Sequence, residues 1–177
     1  MIEVICGPMF SGKTEELIRR VRRLKYANAN FMLFKPTIDE RYDKVKVTSH
    51  DKSWVDSIPI QVPGEITHWL SKNPNVNTIA IDEVQFLNTD VVQMARDWDK
   101  NYRVIVAGLD MDYKGNPFDV MQLFMPIADR VDKLSAVCVK CGLDAKMSKK
   151  LNASETSIVD IGGADKYEAR CLKCWGA

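Results

Sequence analysis

The stretch Gly7-Pro8-Met9-Phe10-Ser11-Gly12-Lys13-Thr14 has the form G-x-x-x-x-G-K-[ST]. That pattern is a phosphate-binding loop: its backbone N–H groups can point inward at an anion, and the start of the following helix adds partial positive charge. Lys13 has the reach for β- and γ-phosphates, and the Thr14 hydroxyl is a fitting ligand for Mg²⁺. The flanks agree. Ile2-Glu3-Val4-Ile5-Cys6 reads as an apolar strand. After the loop, Leu17, Ile18, Val21 and Leu24 share one helix face, and Arg19, Arg20 and Arg23 are expected to turn to solvent. Strand, loop, helix is the context the motif requires.

A second group of reactive residues ends the apolar run Thr78-Ile79-Ala80-Ile81, where Asp82 and Glu83 follow in succession. An acid at the end of a strand near a phosphate loop organises Mg²⁺. Alternation along a strand sends consecutive side chains to opposite sides, so one carboxylate is expected to face the metal and the other an acceptor group. A third group is two C-x-x-C pairs, Cys138 with Cys141 and Cys171 with Cys174. In a reducing compartment these read as a tetrahedral structural zinc site rather than two disulfides. Cys6, on the first strand, reads as a small buried hydrophobe. Asp39 and Arg41 leave the strand Phe31-Met32-Leu33-Phe34, which Lys35-Pro36 is expected to end. They could reach phosphate or the metal's water shell, and a surface turn with a local ion pair fits them equally.

The elements that must position these residues follow in order. A short strand is expected over residues 45–48 and a helix over 65–70, with Ile58-Pro59-Ile60 punctuating a connection. Residues 91–98 read as a helix with Asn88, Thr89 and Asp90 as candidate caps. The continuous apolar run in residues 102–110 fits a strand buried on both faces of a parallel sheet. The turn Asn116-Pro117-Phe118 leads to a helix over 119–125. From Val131 the pattern changes to short strands, the cysteine pairs and a polar middle over residues 146–155. Gly162 and Gly163 there permit a close backbone approach or a turn. The expected division is an α/β domain over residues 1–130 and a zinc-binding domain over 131–177.

The chain has 177 residues, 46% of them hydrophobic, enough for one good core with a small satellite module. A net charge of +1 gives no global field to attract nucleic acid or an anionic membrane. No apolar run is long enough to span a bilayer. The chain enters a core strand at once, so no targeting segment is expected and a cytoplasmic protein is the default.

Taken together, several segments resemble the type II thymidine kinases. They are the phosphate loop G-P-M-F-S-G-K-T, D-E-R-Y at 39–42, S-H-D at 49–51, I-D-E-V-Q-F at 81–86 and N-P-F at 116–118. A-V-C-x-x-C at 136–141, I-G-G-A-D-K-Y at 161–167 and the final C-x-x-C complete the set. The match runs in order over nearly the whole chain. It implies a P-loop, RecA-like parallel sheet flanked by helices, with a C-terminal zinc-ribbon domain carrying a lasso loop. It implies transfer of the γ-phosphoryl of ATP to the 5′-hydroxyl of thymidine, with deoxyuridine also accepted. Homotetramers and feedback inhibition by dTTP are further traits it implies.

Residue by residue, Glu83 matches the family's general base. Asp39, Arg41, Asp82 and Gln85 join the loop in binding ATP and Mg²⁺. Met9, Phe86, Leu109, Tyr113 and Phe118 match residues around the nucleoside, Tyr113 standing where relatives often have Phe. Ile158, Val159, Asp160, Ile161 and Gly162 match the lasso whose main chain pairs with thymine, and Tyr167 a substrate-contacting tyrosine. The competing reading is a P-loop ATPase whose zinc ribbon binds nucleic acid. Against it, the lysines of that region are offset by acids, and few aromatics are interleaved for stacking on bases.

Overall fold

The computed structural model describes residues 1–38, 46–48, 54–151 and 164–176. Asp39, Arg41, Ser49, His50, Asp51 and the lasso residues Ile158, Val159, Asp160, Ile161 and Gly162 lie outside the described residues. The framework is a six-stranded sheet in which every pairing is parallel. Its strands are β1 (Ile2–Gly7), β2 (Phe31–Pro36), β5 (Ile58–Ile60), β6 (Thr78–Ile81), β7 (Arg103–Leu109) and β8 (Arg130–Lys133), in the spatial order β5-β2-β6-β7-β1-β8. The short pairs β3 (Lys46–Thr48) with β4 (Trp54–Asp56) and β9 (Ala136–Val137) with β10 (Asp144–Ala145) each form an antiparallel ribbon.

Parallel strands must be connected by crossovers, which place helices on both faces. Alternation along each strand divides the core accordingly. Ile5, Leu33, Ala80, Ile105 and Ala107 face helix α1 (Lys13–Tyr26), which contributes Leu17, Ile18 and Val21. Val4, Cys6, Phe34, Ile79, Ile81, Val104 and Val106 face the other way. There they meet α2 (Gly64–Lys72), α3 (Asp90–Trp98) and α4 (Asp119–Phe124). Each such Val, Ile, Leu or Phe side chain taken fully from water contributes about 1.5–3 kcal/mol before chain entropy is counted. Among the described residues no helix is long and apolar enough to cross a membrane.

Several expectations need correction. Ile58-Pro59-Ile60 is strand β5, at the sheet edge, where proline's missing N–H interrupts no ladder on the outer side. β2 takes in Lys35 and ends at Pro36, where it was expected to stop. Asn88, Thr89 and Asp90 do not cap α3 through a side chain: Asn88 Nδ2 donates to Asp90 Oδ2 instead, at 3.2 Å. β8 carries the parallel sheet on through Lys133. Part of the polar middle is strand β11 (Met147–Lys150), paired antiparallel with β12 (Tyr167–Arg170), and it buries Met147 and Ser148.

Arg20 is also not on a solvated face. It is buried and donates to Glu3 Oε2 at 2.6 Å, Glu16 Oε1 at 2.8 Å and Asp132 Oδ2 at 2.6 Å. Arg103 Nε adds a second bond to Glu3 Oε1 at 2.6 Å. A carboxylate in β1 needs these partners, because an unpaired buried charge is costly. Hydrogen bonds from Arg19 and then Arg20 hold the Glu16 carboxyl down at about 2, from its ordinary 4.5. Asp132 is lowered in the same direction by Arg130 and Arg20. Both groups are held below their unfolded-chain pKa, so each stabilises the fold when ionised; the Glu16 contribution is full above about pH 4.5 and is lost as pH falls toward 2. Replacing Arg20 with Met should cost about 3–5 kcal/mol in urea unfolding at pH 7. It should also flatten the acid fall in stability below pH 4.5. A loss under about 1 kcal/mol with the slope unchanged would show that the network does not hold β1, α1 and β8 together.

Candidate active site

The phosphate loop joins β1 to α1 as expected, and its backbone shows why these residue types are needed. Gly7 and Gly12 have φ of 142° and 82°, and Phe10 takes the same left-handed region at 65°. A Cβ on Gly7 would lie 2.4 Å from the Leu134 carbonyl oxygen, so only glycine lets the end of β1 pass the chain leaving β8. Ser11 Oγ and Lys13 Nζ both donate to the Pro8 carbonyl, at 2.8 and 2.7 Å, which holds the Lys13 charge at the loop. Met9, Phe10 and Lys13 are at least partly covered, and Gly12 and Thr14 are partly open.

Because β6, β7 and β1 are parallel neighbours, their C-terminal ends meet at one edge, where α/β sheets bind ligands. Thr14 Oγ1 donates to Asp82 Oδ2 at 3.3 Å, joining the loop to the residue after β6. Two hard oxygen donors at this spacing suit a small divalent cation such as Mg²⁺. Asp82 is buried, and its N–H bonds the Phe34 carbonyl at 2.9 Å, fixing it to β2.

Glu83 diverges from Asp82 for a reason other than strand alternation. β6 ends at Ile81, and Glu83 turns with φ of 50° into a 3-10 turn, Val84–Phe86. Left-handed backbone at a non-glycine residue is uncommon and costs energy. Of three such residues among those described, Phe10 and Glu83 stand here, while Asn28 follows a helix C-terminus. Gln85 Nε2 donates to Glu83 Oε2 at 2.6 Å, and Gln85 Oε1 accepts from the Leu109 N–H at 3.1 Å. Gln85, grouped from the resemblance with ATP and Mg²⁺, thus braces Glu83 against the end of β7. Gly108 leaves room for that brace, since a Cβ there would lie 2.6 Å from Gln85 Oε1.

The residues assigned to the nucleoside leave the same edge. Met9 follows β1, Phe86 follows β6, and Leu109 closes β7. Tyr113 and Phe118 lie on the connection from β7 to α4. Lys150 Nζ and Lys114 Nζ lie over the Tyr113 ring, at 5.4 and 5.5 Å from its centroid. Tyr167 is buried in β12, opposite Lys150 in the register.

The four cysteines do converge. The Sγ atoms of Cys138, Cys141, Cys171 and Cys174 all lie within 4.8 Å of one another and could hold a metal ion. Cys141 Sγ and Cys171 Sγ are 3.6 Å apart, far from a disulfide and near the roughly 3.8 Å edge of a tetrahedron with 2.3 Å metal–sulfur bonds. Backbone N–H groups, that of Cys171 foremost, bring Cys138 down to about 6, while the neighbouring thiols push Cys174 up to about 12. Burial and the Asp110 charge push Cys6 up to about 11, in keeping with an inert core thiol.

Sequence reasoning missed the supports. Ser148 Oγ on β11 accepts from the Met9 N–H at 3.0 Å, and Phe10 packs on the cluster of Ala136, Cys138, Ala145, Ala169 and Cys171. The C-terminal module therefore buttresses the phosphate loop. A single serine in a lysine-rich stretch carries no signal of this. Asp110, buried at the end of β7, pairs with Lys133 Nζ at 2.8 Å and was likewise unmarked. Replacing Gln85 with Ala should lower stability by about 1–3 kcal/mol in urea unfolding, since the part-buried Leu109 N–H loses its acceptor. No measurable change would mean that the brace is not formed in solution.

A sequence model of the family described as thymidine kinase matches residues 1–175. The chain is also 46% identical over 171 residues to a curated thymidine kinase of Bdellovibrio bacteriovorus, covering 96% of this chain and 82% of that protein. The family match takes in the phosphate loop, the paired acids and the cysteine module, and the chain belongs to the thymidine kinase family.

Proposed function

We propose that the protein transfers the γ-phosphoryl of ATP in line to the 5′-hydroxyl of thymidine, giving dTMP and ADP, with Glu83 as general base. That it is a kinase, and one that phosphorylates thymidine, follows from its family. The division of labour within the site is supported above all by one observation. Thr14 of the loop touches Asp82, while Glu83, the next residue, turns away and is braced by Gln85. This supports a reading in which Asp82 serves the phosphate side and Glu83 the acceptor.

The chemistry asks for positioning and charge stabilisation more than for covalent help. Loop N–H groups and Lys13 stabilise charge spreading over the equatorial phosphoryl oxygens. Mg²⁺, held through Thr14 and Asp82, would neutralise phosphate charge when bound. Glu83 accepts the 5′-hydroxyl proton and aims the oxygen. Met9, Phe86, Leu109, Tyr113, Phe118 and Tyr167 enclose the nucleoside, with main chain of residues 158–162 pairing the base. Thymine offers an N–H flanked by two carbonyls, which backbone C=O and N–H groups can complement. Asp39 and Arg41, which lie outside the described residues, are assigned to ATP and Mg²⁺ by the family resemblance. Deoxyuridine fits the same base edge.

The cysteine cluster holds structural zinc. Four thiols converging this closely favour a thiolate-preferring tetrahedral ion. The nucleic-acid-binding ATPase is not favoured, because the family match includes the cysteine module. A cytoplasmic homotetramer inhibited by dTTP completes the reading. Sedimentation and initial rates with added dTTP test those two properties.

Glu83→Gln keeps the side chain's size and removes its basicity. It should lower kcat about 10²–10⁴-fold with little change in either KM. Near-normal kcat would remove Glu83 as the base. Separately, zinc analysis should find metal bound to the purified protein. Stripping it with a chelator should lower the thermal midpoint and weaken thymidine binding together. A metal-free protein with unchanged melting and kinetics would refute the structural role of the cluster.

A further inference from the structure

The C-terminal helix α5 (Leu172–Trp175) reaches beyond the cysteine cluster to the loop between β7 and α4. Trp175 Nε1 donates to the Tyr113 carbonyl oxygen at 3.3 Å. The edge of its ring lies against Gly115, where a Cβ would sit 3.3 Å from Trp175 Cη2 and 3.2 Å from Met147 Cε. Gly115 has φ of 85°, so the tight approach and the backbone both call for glycine. Lys149 Nζ on β11 donates to the Trp175 carbonyl at 3.1 Å, tying the tryptophan's own backbone to the module. At the start of α5, Cys171 Sγ accepts from the Cys174 N–H. The indole is therefore positioned by the residues of the cysteine cluster, one of which directly precedes it.

The loop it touches is internally closed. Met111 bridges Pro117, and Asp112 Oδ1 accepts from the Lys114 and Asn116 N–H groups at 2.8 and 2.9 Å. The Asp112 N–H returns to the Asn116 carbonyl at 2.8 Å. These bonds couple the tip of the loop to Tyr113. At its base the Phe118 N–H donates to the Asp110 carbonyl.

We propose that Trp175 is a positioning residue for the acceptor side of the site: it clamps the 111–117 loop and so sets Tyr113 where the nucleoside is enclosed. The inference rests on the acceptor role of Tyr113 stated above. It links the cysteine cluster to nucleoside binding by a route separate from the lasso.

The test uses the full-length, zinc-loaded protein with Trp175→Phe, which removes only the N–H donor, and Trp175→Ala. Thymidine KM, ATP KM, kcat and zinc content are measured. Hydrogen–deuterium exchange across residues 111–117 is followed without substrate. Losing one hydrogen bond should raise thymidine KM roughly threefold in the Phe variant. Losing the ring as well should raise it roughly tenfold or more in the Ala variant. Kcat, ATP KM and zinc should stay within about twofold of wild type, and the loop amides should exchange faster. An unchanged thymidine KM in both variants overturns the proposal, as does a parallel loss of zinc and of ATP affinity. Should the wild type form no dTMP, the substrate reading fails on its own. The clamp is then judged by exchange alone, and unchanged protection in the Phe and Ala variants would overturn it.

Discussion

In-register parallel pairing of β6, β7 and β1 is the constraint on which the rest of the structure depends. Ile81 lies beside Val106, and Gly7 beside Leu109, so the chain leaves all three strands at one edge. The phosphate loop, the paired carboxylates and the connection carrying Tyr113 and Phe118 are delivered there together. An antiparallel β7 would send its end to the opposite edge and separate Leu109 and the connection bearing Tyr113 and Phe118 from Thr14 and Asp82. The apolar faces enforce the register, because a shift of one residue would exchange the surface facing α1 for the surface facing α2, α3 and α4.

Around that edge the fold spends conformational strain and buried charge in few places. Phe10 and Glu83 hold left-handed backbone at the site, each over-determined by neighbours: Phe10 by the cysteine module, Glu83 by Gln85 and the 3-10 turn. At the other end of β1, Arg20 and Arg103 satisfy Glu3 and link α1, β7 and β8. The C-terminal segment contacts two loops at this edge. Ser148 steadies the phosphate loop, and Trp175 contacts the loop that bears Tyr113.

What could be read from the sequence was what depends on local pattern. The phosphate loop, the strand ending in Asp82 and Glu83, and the C-x-x-C pairs each carry their chemistry in adjacent residues. The continuous apolar run of β7 announced a strand buried on both faces. What could not be read depends on contacts between distant segments. Arg20 looks solvated in a run of basic residues, and only its meeting with Glu3 and Asp132 shows otherwise. Pro59 looks like punctuation until its strand is seen at the sheet edge. Alternation separated Asp82 from Glu83 on paper, whereas a left-handed turn does so in the fold. Ser148 and Trp175 carry no motif, since a hydrogen bond to a distant backbone group leaves no trace in spacing.

The most direct measurement is product analysis. The protein is incubated with ATP, Mg²⁺ and one deoxynucleoside at a time, and nucleotides are resolved by chromatography. The account predicts dTMP and ADP in equal amounts from thymidine, a smaller yield from deoxyuridine, and little ADP when no nucleoside is present. ADP released without any nucleoside monophosphate, or only when DNA is added, would contradict it.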